Sequence, residues 1–158
     1  MSRVNRILSV AIVAAVMLAV GTGTAQAKPK PANPGIGIQS SACASGNFCV
    51  WYWGGFAEPP ADWHWAGNDG DWSNNDHEGY DISYNDMSWA NNGTACGGCD
   101  HVRIYSSTTQ NSSTLTLCIH RGQLLSWDSG AVTYYAANSG RSHRWGGECG
   151  SSEPHIPF

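Results

Sequence analysis

The segment TLTLCIH, Thr114–His120, alternates between two kinds of side chain, and this alternation decides the predicted fold class. Its leucines and isoleucine fall on one face of an extended chain, and its threonines and cysteine fall on the other. The segment HVRIY at 101–105 alternates in the same way, and FCVWYW at 48–53 is a compact aromatic and β-branched run. All three segments therefore predict β-strands.

Two shorter segments extend this pattern towards the C-terminus. Leu124 to Trp127 follows Gly122 and predicts the return strand of a hairpin, and Ala131 to Tyr135 predicts a further short strand. Clusters of Gly, Asn and Ser separate the strands, and no window after residue 27 shows a sustained apolar helical period. The pattern indicates an all-β fold, either a small sandwich or a barrel.

The first 27 residues have the pattern of a cleavable secretory signal. Arg3 and Arg6 precede an apolar run from Ile7 to Val20, and Ala25-Gln26-Ala27 predicts cleavage between Ala27 and Lys28. The alternative is a membrane anchor, but the apolar run spans roughly 21 Å as a helix, short of the ~30 Å hydrocarbon core. We expect a secreted, extracellular protein with a signal at 1–27, a Pro-rich linker at 28–41 and a single β domain at 42–158.

The charge of the chain after the signal narrows the choice of partner. This part keeps six of the eight basic residues and all twelve acidic ones, a formal charge of −6. Nucleic acid phosphates and anionic membrane surfaces both require clustered Lys and Arg. We therefore expect neither nucleic acid nor, after signal cleavage, a membrane as partner.

Six cysteines follow the signal, and an even number in an exported chain predicts a disulfide framework. Sequence alone does not choose among the possible connectivities, and we expect the local pairing Cys43–Cys49, Cys96–Cys99 and Cys118–Cys149. The Cys96-Gly-Gly-Cys99 motif has two further interpretations, a redox couple and a zinc knuckle with His101 as third ligand. The redox interpretation lacks a βαβ context, and the knuckle lacks a fourth ligand.

The stretch from Glu58 to Asp86 combines many acidic residues with tryptophan. We predict Trp63, Trp65 and Trp72 as an exposed platform for sugar rings, with core packing as the alternative. The alternation at 51–53 would bury Trp51 and Trp53 together.

Carboxylates in the stretch from Glu58 to Asp86 also offer oxygen ligands for calcium, although their spacing does not match an EF-hand. A solvated Asx-turn loop is the alternative. These candidate calcium ligands are Asp69, Asp71, Asp76 and Glu78.

Catalysis has little support in the sequence. The six histidines are scattered, and neither a G-x-S-x-G elbow nor an H-E-x-x-H motif is present. Adjacent pairs such as Asp100-His101 point to opposite faces of a strand, so adjacency alone makes no catalytic dyad. We expect that the protein is not an enzyme and that it needs no cofactor.

Several segments resemble the peptidase inhibitor I36 family, small secreted bacterial proteins related to a Streptomyces metalloproteinase inhibitor. The opening CASGNFCVW at 43–51 resembles the start of that family, and NDMSW at 85–89 with NNGT at 91–94 resembles its central segment. HVRIY at 101–105 and RSHRW at 141–145 resemble later segments. The resemblance implies a Greek-key β-sandwich of βγ-crystallin type, and inhibition of extracellular proteases.

The same resemblance raises calcium binding at Asp86, because βγ-crystallin modules often bind calcium through a related segment. Here the segment departs from that pattern, since Ser88 comes one residue early and Trp89 replaces the final serine. Asp86 is the candidate calcium ligand of this segment.

The first functional hypothesis is a secreted inhibitor-like protein that binds an extracellular protease or another protein through a rigid loop. The loop candidates are the turn from Gly93 to Asp100 and the loop from Trp63 to Trp72. One alternative is a carbohydrate- or cell-wall-binding module that uses exposed tryptophans. Another is a structural component of a secreted assembly.

Overall fold

A computed structural model describes residues 43–56, 63–75 and 79–157 of the 158-residue chain. The predicted signal, its cleavage point at Ala27 and Lys28, and the predicted linker lie outside the described residues. The candidate calcium ligands Asp76 and Glu78 also lie outside them.

The described residues form two antiparallel sheets with little helix, which confirms the all-β prediction. The first sheet has the strand order β2-β1-β3-β6, and the second has the order β5-β4-β7. Two short 3₁₀ turns lie at Gly54–Phe56 and Trp72–Asn74. The strands and the one α-helix are β1 (Asn47–Trp51), β2 (Trp63–Trp65), β3 (Ser88–Asn92), β4 (His101–Tyr105), β5 (Leu115–Ile119), β6 (Leu124–Ser126), α1 (Ala131–Ala136) and β7 (Ser142–Gly146).

Each half of the chain contributes one segment to the sheet of the other half. The first half runs from β1 to β3, with an extended segment at Asp69 between β2 and β3, and the second half runs from β4 to β7. In the second half β6 pairs with β3 of the first sheet. In the first half Asp69 bridges β7 of the second sheet, because Asp69 and His143 exchange backbone hydrogen bonds of 3.1 and 2.8 Å. The two sheets are therefore joined by pairing in both directions.

This exchange corrects the predicted hairpin return at Leu124 to Trp127. The turn before β6 bonds to β3, since Gly122 donates its N–H to the Asn91 carbonyl and Asn91 donates to the Gln123 carbonyl. Gly122 has a φ of 84°, which few other residues adopt. The chain therefore leaves β5 and crosses to the opposite sheet.

The predicted strand at Ala131 to Tyr135 is wrong, because these residues belong to α1. The Thr133 hydroxyl accepts the N–H of Gly130 at 3.0 Å, so it satisfies a donor at the start of the helix. Thr133 and Ala136, three residues apart, face the core. Six residues are too short a window to separate this spacing from a strand pattern.

Aromatic side chains supply much of the core, in a chain with few aliphatic residues. The four fully or almost fully buried rings of the main cluster are those of Phe48, Trp63, Trp72 and Trp89. Trp51 is buried in a second cluster beside the Cys43–Cys49 bridge. Large rings bury much area each, so a few of them can fill a small core.

The six cysteines form the three disulfides that the local pairing predicts. The pairs are Cys43–Cys49, Cys96–Cys99 and Cys118–Cys149, with Cα atoms 5.8, 5.4 and 5.9 Å apart. Such bridges are typical of oxidising compartments. In the described part of the chain, no helix has the length and apolarity to cross a bilayer.

The strand register defines two ends of the first sheet. Asn47 pairs with Asn92 at one end, and Trp51 pairs with Ser88 at the other. We call the first the turn end, because the Gly93 to Asp100 turn leaves from it. We call the second the aromatic end, because Trp53 follows it directly.

Candidate functional site

The aromatic end carries a group of exposed rings. Trp53 is 56% exposed, and Tyr134 and Tyr135 on α1 are 61% and 79% exposed. Monomeric proteins seldom leave so many large aromatic side chains together in water without a binding role. We call this group the aromatic surface; it consists of the exposed rings of Trp53, Tyr80, Trp127, Tyr134 and Tyr135, and of Tyr52, which is partly buried and packs against the core.

Ring contacts connect the aromatic surface in two groups. Tyr52 lies 4.9 Å from Trp53 and 5.7 Å from Tyr80, measured between ring centroids. Trp127 lies 6.2 Å from Tyr134, and Tyr134 lies 5.7 Å from its neighbour in α1. The planes in these pairs are inclined by 48° to 83°, so the rings form a contoured surface and not a flat one.

The backbone joins these two groups. Met87 donates to the Trp51 carbonyl, and Trp127 donates to the Met87 carbonyl, so the segment at Met87 lies between the segments that carry Trp51 and Trp127 and joins them. The Trp127 indole lies directly against Gly54, where a Cβ atom would come within 2.5 Å of its Cδ1. Glycine at this position, directly after Trp53, therefore leaves room for the Trp127 ring.

The predicted platform of Trp63, Trp65 and Trp72 is not exposed as a unit. Trp63 is 5% exposed and Trp72 is fully buried, so the prediction is wrong for these two residues. Trp65 is partly buried and stacks on Trp72, with centroids 5.5 Å apart and planes inclined by 11°. The prediction for Trp53 is also wrong, because β1 ends at Trp51 and the strand alternation does not reach it.

His143 explains why Trp65 and Trp72 turn inward. This buried imidazole accepts the Trp72 Nε1–H on Nδ1 at 2.9 Å and donates from Nε2 to the Gly67 carbonyl at 2.9 Å. The bond from Trp72 requires a lone pair on Nδ1 and so the neutral ring, and burial lowers the pKa of His143 to about 4. Trp65 and Trp72 therefore pack on the imidazole ring of His143, which lies in β7.

Asp86 lies in the core and not at an open cation site. Its side chain is fully buried, and it accepts the Gly140 N–H on Oδ1 and the Trp89 Nε1–H on Oδ2, both at 2.8 Å. Burial raises the pKa of Asp86 to about 7, although these two hydrogen bonds oppose the rise. Calcium takes about six to eight oxygen ligands, and here N–H donors occupy the carboxylate. The geometry thus gives no support to calcium at Asp86.

Asp69 and Asp71 also use their carboxylates within the protein. Asp69 accepts the Asp71 N–H, and Asp71 accepts the Ser73 N–H and hydroxyl. Arg141 makes an ion pair with Asp71 at 3.0 Å. These are Asx turns, the alternative that the sequence left open for this stretch.

The Gly93 to Asp100 turn is exposed and held at several points. The Cys96–Cys99 bridge closes it, and the Asn91 side chain donates to the Asp100 carbonyl and accepts the Gly93 N–H. An open cleft of about 350 Å³ lies beside the turn. Its lining includes Gly46, Gly67, Asn68, Thr94, Cys99 and Trp145.

The Cys96–Cys99 bridge also bears on the zinc and redox interpretations of the Cys-x-x-Cys motif. With both thiols joined, neither is left as a thiolate ligand, so the zinc knuckle of Cys96, Cys99 and His101 does not form. The redox interpretation expects a βαβ unit, and the described strands pair antiparallel. The motif acts as a clamp on the turn.

His101 instead faces two other potential ligands at the turn end. Its Nε2 lies 3.1 Å from His120 Nδ1 and 3.4 Å from Glu148 Oε2, and His120 Nδ1 lies 3.2 Å from Glu148 Oε1. Asp100 Oδ1 accepts the other ring N–H of His101 at 3.0 Å. Burial, with the neighbouring His101, lowers the pKa of His120. We call His101, His120 and Glu148 the histidine cluster.

No family model, curated protein or solved structure matches the chain. The aromatic surface and the histidine cluster are therefore interpreted from their own chemistry.

The sequence did not predict the aromatic surface or the histidine cluster. The signal for the aromatic surface was the pair Tyr134-Tyr135, whose consecutive aromatics cannot both face a core. The histidine cluster had no sequence signal beyond histidine next to an acidic residue, because its members come from β4, the end of β5 and the segment after β7.

Proposed function

We propose that this chain is an exported, inhibitor-like protein that binds an extracellular protease or another extracellular protein. The observation that carries the proposal is the aromatic surface, in which Trp53 is exposed and the exposed Trp127 contacts both Tyr134 and Gly54, the residue after Trp53. Tyr and Trp are enriched in protein interfaces and supply many of the residues that dominate binding energy. The negative charge of the chain after residue 27 directs it towards partners that are not polyanions.

The inclination of the rings favours a protein over a flat polysaccharide. Neighbouring planes at 48° to 83° present edges and faces in turn, which suits a contoured partner. A crystalline polysaccharide offers a flat surface and needs coplanar rings. The aromatic surface thereby supports a protein ligand first.

A pull-down tests the proposal directly. The tagged protein and a Trp53→Ala/Tyr134→Ala variant are incubated with culture medium and with thermolysin-like and subtilisin-like proteases. We expect the wild type to retain or inhibit a protein and the variant to lose at least tenfold in affinity. Tyr84→Ala is the matched control, since this exposed ring lies near Arg141 and outside the aromatic surface.

Two results would contradict the proposal. One is the absence of both inhibition and retained protein at large molar excess. The other is equal retention by the wild type and the Trp53→Ala/Tyr134→Ala variant.

The turn at the opposite end is the rigid loop that an inhibitor would insert. Its cross-link means that binding would order few residues, which lowers the entropic penalty of association. The double variant Cys96→Ser/Cys99→Ser separates the two surfaces. If the turn also inserts into the partner, this variant loses inhibition although its aromatic surface is unchanged.

A carbohydrate- or cell-wall-binding module is the second candidate, and the same aromatic surface favours it. Tyr and Trp faces stack on sugar rings, and a single polysaccharide chain can follow a contoured surface. Binding to amorphous polysaccharide that Trp53→Ala/Tyr134→Ala abolishes would support it, with no protein retained. A structural role in a secreted assembly is the third proposal, and co-purification of a stable complex from the medium would support it.

The Greek-key assignment of βγ-crystallin type is also a proposal. In each half the last strand lies beside the first, β3 beside β1 and β7 beside β4. The segment just before that last strand, at Asp69 in the first half and β6 in the second, pairs with the opposite sheet. This order supports a pair of Greek keys and the resemblance to the I36 family. NMR contacts between Asp69 and His143, and between Ala90 and Leu124, test the exchange.

Export is proposed on the disulfides and on the predicted signal. N-terminal sequencing of the protein from culture medium tests it, and we expect the chain to begin at Lys28. Recovery only from the cell pellet would contradict export.

A further inference from the structure

We propose that His101, His120 and Glu148 form a zinc-binding site at the turn end. His101 Nε2, His120 Nδ1 and the Glu148 carboxylate converge, with 3.1 to 3.4 Å between the ligand atoms of each pair. Imidazole nitrogen and carboxylate oxygen are ordinary zinc ligands. The site uses residues that the proposed binding function does not need.

The distances fit a tetrahedral zinc ion. Zinc lies about 2.0 to 2.1 Å from histidine nitrogen, and the edges of that tetrahedron are about 3.3 to 3.4 Å long. The two nitrogens lie 3.1 Å apart, and each lies 3.2 or 3.4 Å from a different oxygen of Glu148, all within about 0.3 Å of this edge. A zinc ion therefore fits above the two nitrogens and the carboxylate after a small rotation of the exposed Glu148 side chain.

Asp100 sets the orientation of His101. Its carboxylate is an acceptor only, so the bond of 3.0 Å places the imidazole proton on Nδ1 and the lone pair of Nε2 towards His120. A carboxylate on the outer nitrogen of a metal-binding histidine is a recurring support of zinc sites. Arg121 lies 3.3 Å from the other oxygen of Asp100 and helps to hold it.

The backbone that carries each ligand is also held in place. His101 begins β4, and His120 directly follows β5. Glu148 precedes Cys149, which is bonded to Cys118 of β5, and its own carbonyl accepts from Arg103 at 2.9 Å. The disulfide thus ties the strand that carries His120 to the segment that carries Glu148, so little ordering is needed on metal binding.

A zinc ion held by these three side chains would have a fourth position open to solvent. Both histidines are less than a tenth exposed, whereas the Glu148 side chain is 75% exposed, so the fourth position opens to solvent and would hold water.

Zinc titration of the untagged, metal-stripped protein tests the site, with isothermal calorimetry as the readout. We expect one zinc per chain. Glu148→Gln removes a charged ligand from an exposed side chain, so the fold should persist, and we expect at least a tenfold loss of affinity. Asp100→Asn, which touches no metal, should lose about tenfold to a hundredfold.

His64→Gln is the matched control, because this histidine is exposed on β2 and lies outside the histidine cluster. It should bind zinc like the wild type. Co²⁺ supplies a second readout, since four-coordinate cobalt absorbs visible light far more strongly than six-coordinate cobalt. We expect the strong spectrum in the wild type and its loss in His120→Gln, with the fold checked by circular dichroism.

The proposal fails if the stripped protein binds no zinc. It also fails if Glu148→Gln and His120→Gln both bind as tightly as the wild type, or if cobalt gives only a six-coordinate spectrum. These outcomes are independent of the pull-down, because the three zinc ligands belong neither to the aromatic surface nor to the Gly93 to Asp100 turn.

Discussion

Replacing Asp86 with asparagine should change the pH dependence of stability in a direction that is easy to recognise. Burial raises the pKa of Asp86 from 3.8 to about 7 in the folded protein. Between these values the folded state holds a proton that the unfolded state has lost. The free energy of unfolding therefore falls as pH rises through this window.

The size of this effect follows from the shift. One pKa unit corresponds to about 1.4 kcal/mol, so Asp86 should lower the free energy of unfolding by about 4 kcal/mol between pH 4 and pH 8. Asp86→Asn removes this contribution. It also adds a constant loss, because the new amide nitrogen faces the N–H of Gly140 or of Trp89 and leaves a buried donor unpaired, at about 1–3 kcal/mol.

The two contributions predict a change of sign. At pH 4 the asparagine variant should be less stable than the wild type, and at pH 8 it should be more stable. Urea unfolding of both proteins at pH 4, 6 and 8, followed by tryptophan fluorescence, measures the difference. Asp128→Asn, the same change on an exposed side chain, is the control. A difference that stays constant with pH would refute the reasoning.

Other substitutions probe the remaining features of the fold. His143→Gln keeps an acceptor for Trp72 and a donor for the Gly67 carbonyl but cannot be protonated. Since the His143 pKa falls from 6.5 to about 4, the variant should gain about 3 kcal/mol relative to the wild type between pH 7 and pH 4, measured by urea unfolding. Gly54→Ala should displace the Trp127 ring and change tryptophan fluorescence, with about 1–3 kcal/mol of stability lost. The double variant Cys118→Ser/Cys149→Ser opens a link across 31 residues and should lose about 3–4 kcal/mol in the same unfolding assay.

The strands with clear alternation were predictable from sequence, and the partners of the short ones were not. HVRIY at 101–105 and the segment around β5 carry enough period-two pattern to identify a strand. Leu124–Ser126 has three residues, so its pairing with β3 depends on the turn at Gly122 and on hydrogen bonds with Asn91. Local pattern holds no information about such a distant partner.

The burial of the tryptophans shows the same limit. Trp63, Trp65 and Trp72 lie in a stretch rich in Asp, Asn and Gly, whose composition predicts exposure. Trp65 and Trp72 are covered because Asp69 pairs with β7 and places His143 against both rings. The ring that buries them is about seventy residues away in sequence, so composition alone misjudges them.

The disulfides lie mainly at the turn end of the first sheet, so the turn end is more rigid than the aromatic end. Cys43 lies beside Asn92 at the turn end, the Cys96–Cys99 bridge closes the turn there, and Cys149 follows β7 next to Glu148. None of the three bridges joins residues of the aromatic surface. The turn end, which holds the histidine cluster, is therefore covalently fixed and suited to a ligand that demands set distances. The aromatic surface is held by ring packing and a few backbone bonds, so its rings can adjust to the contour of a partner.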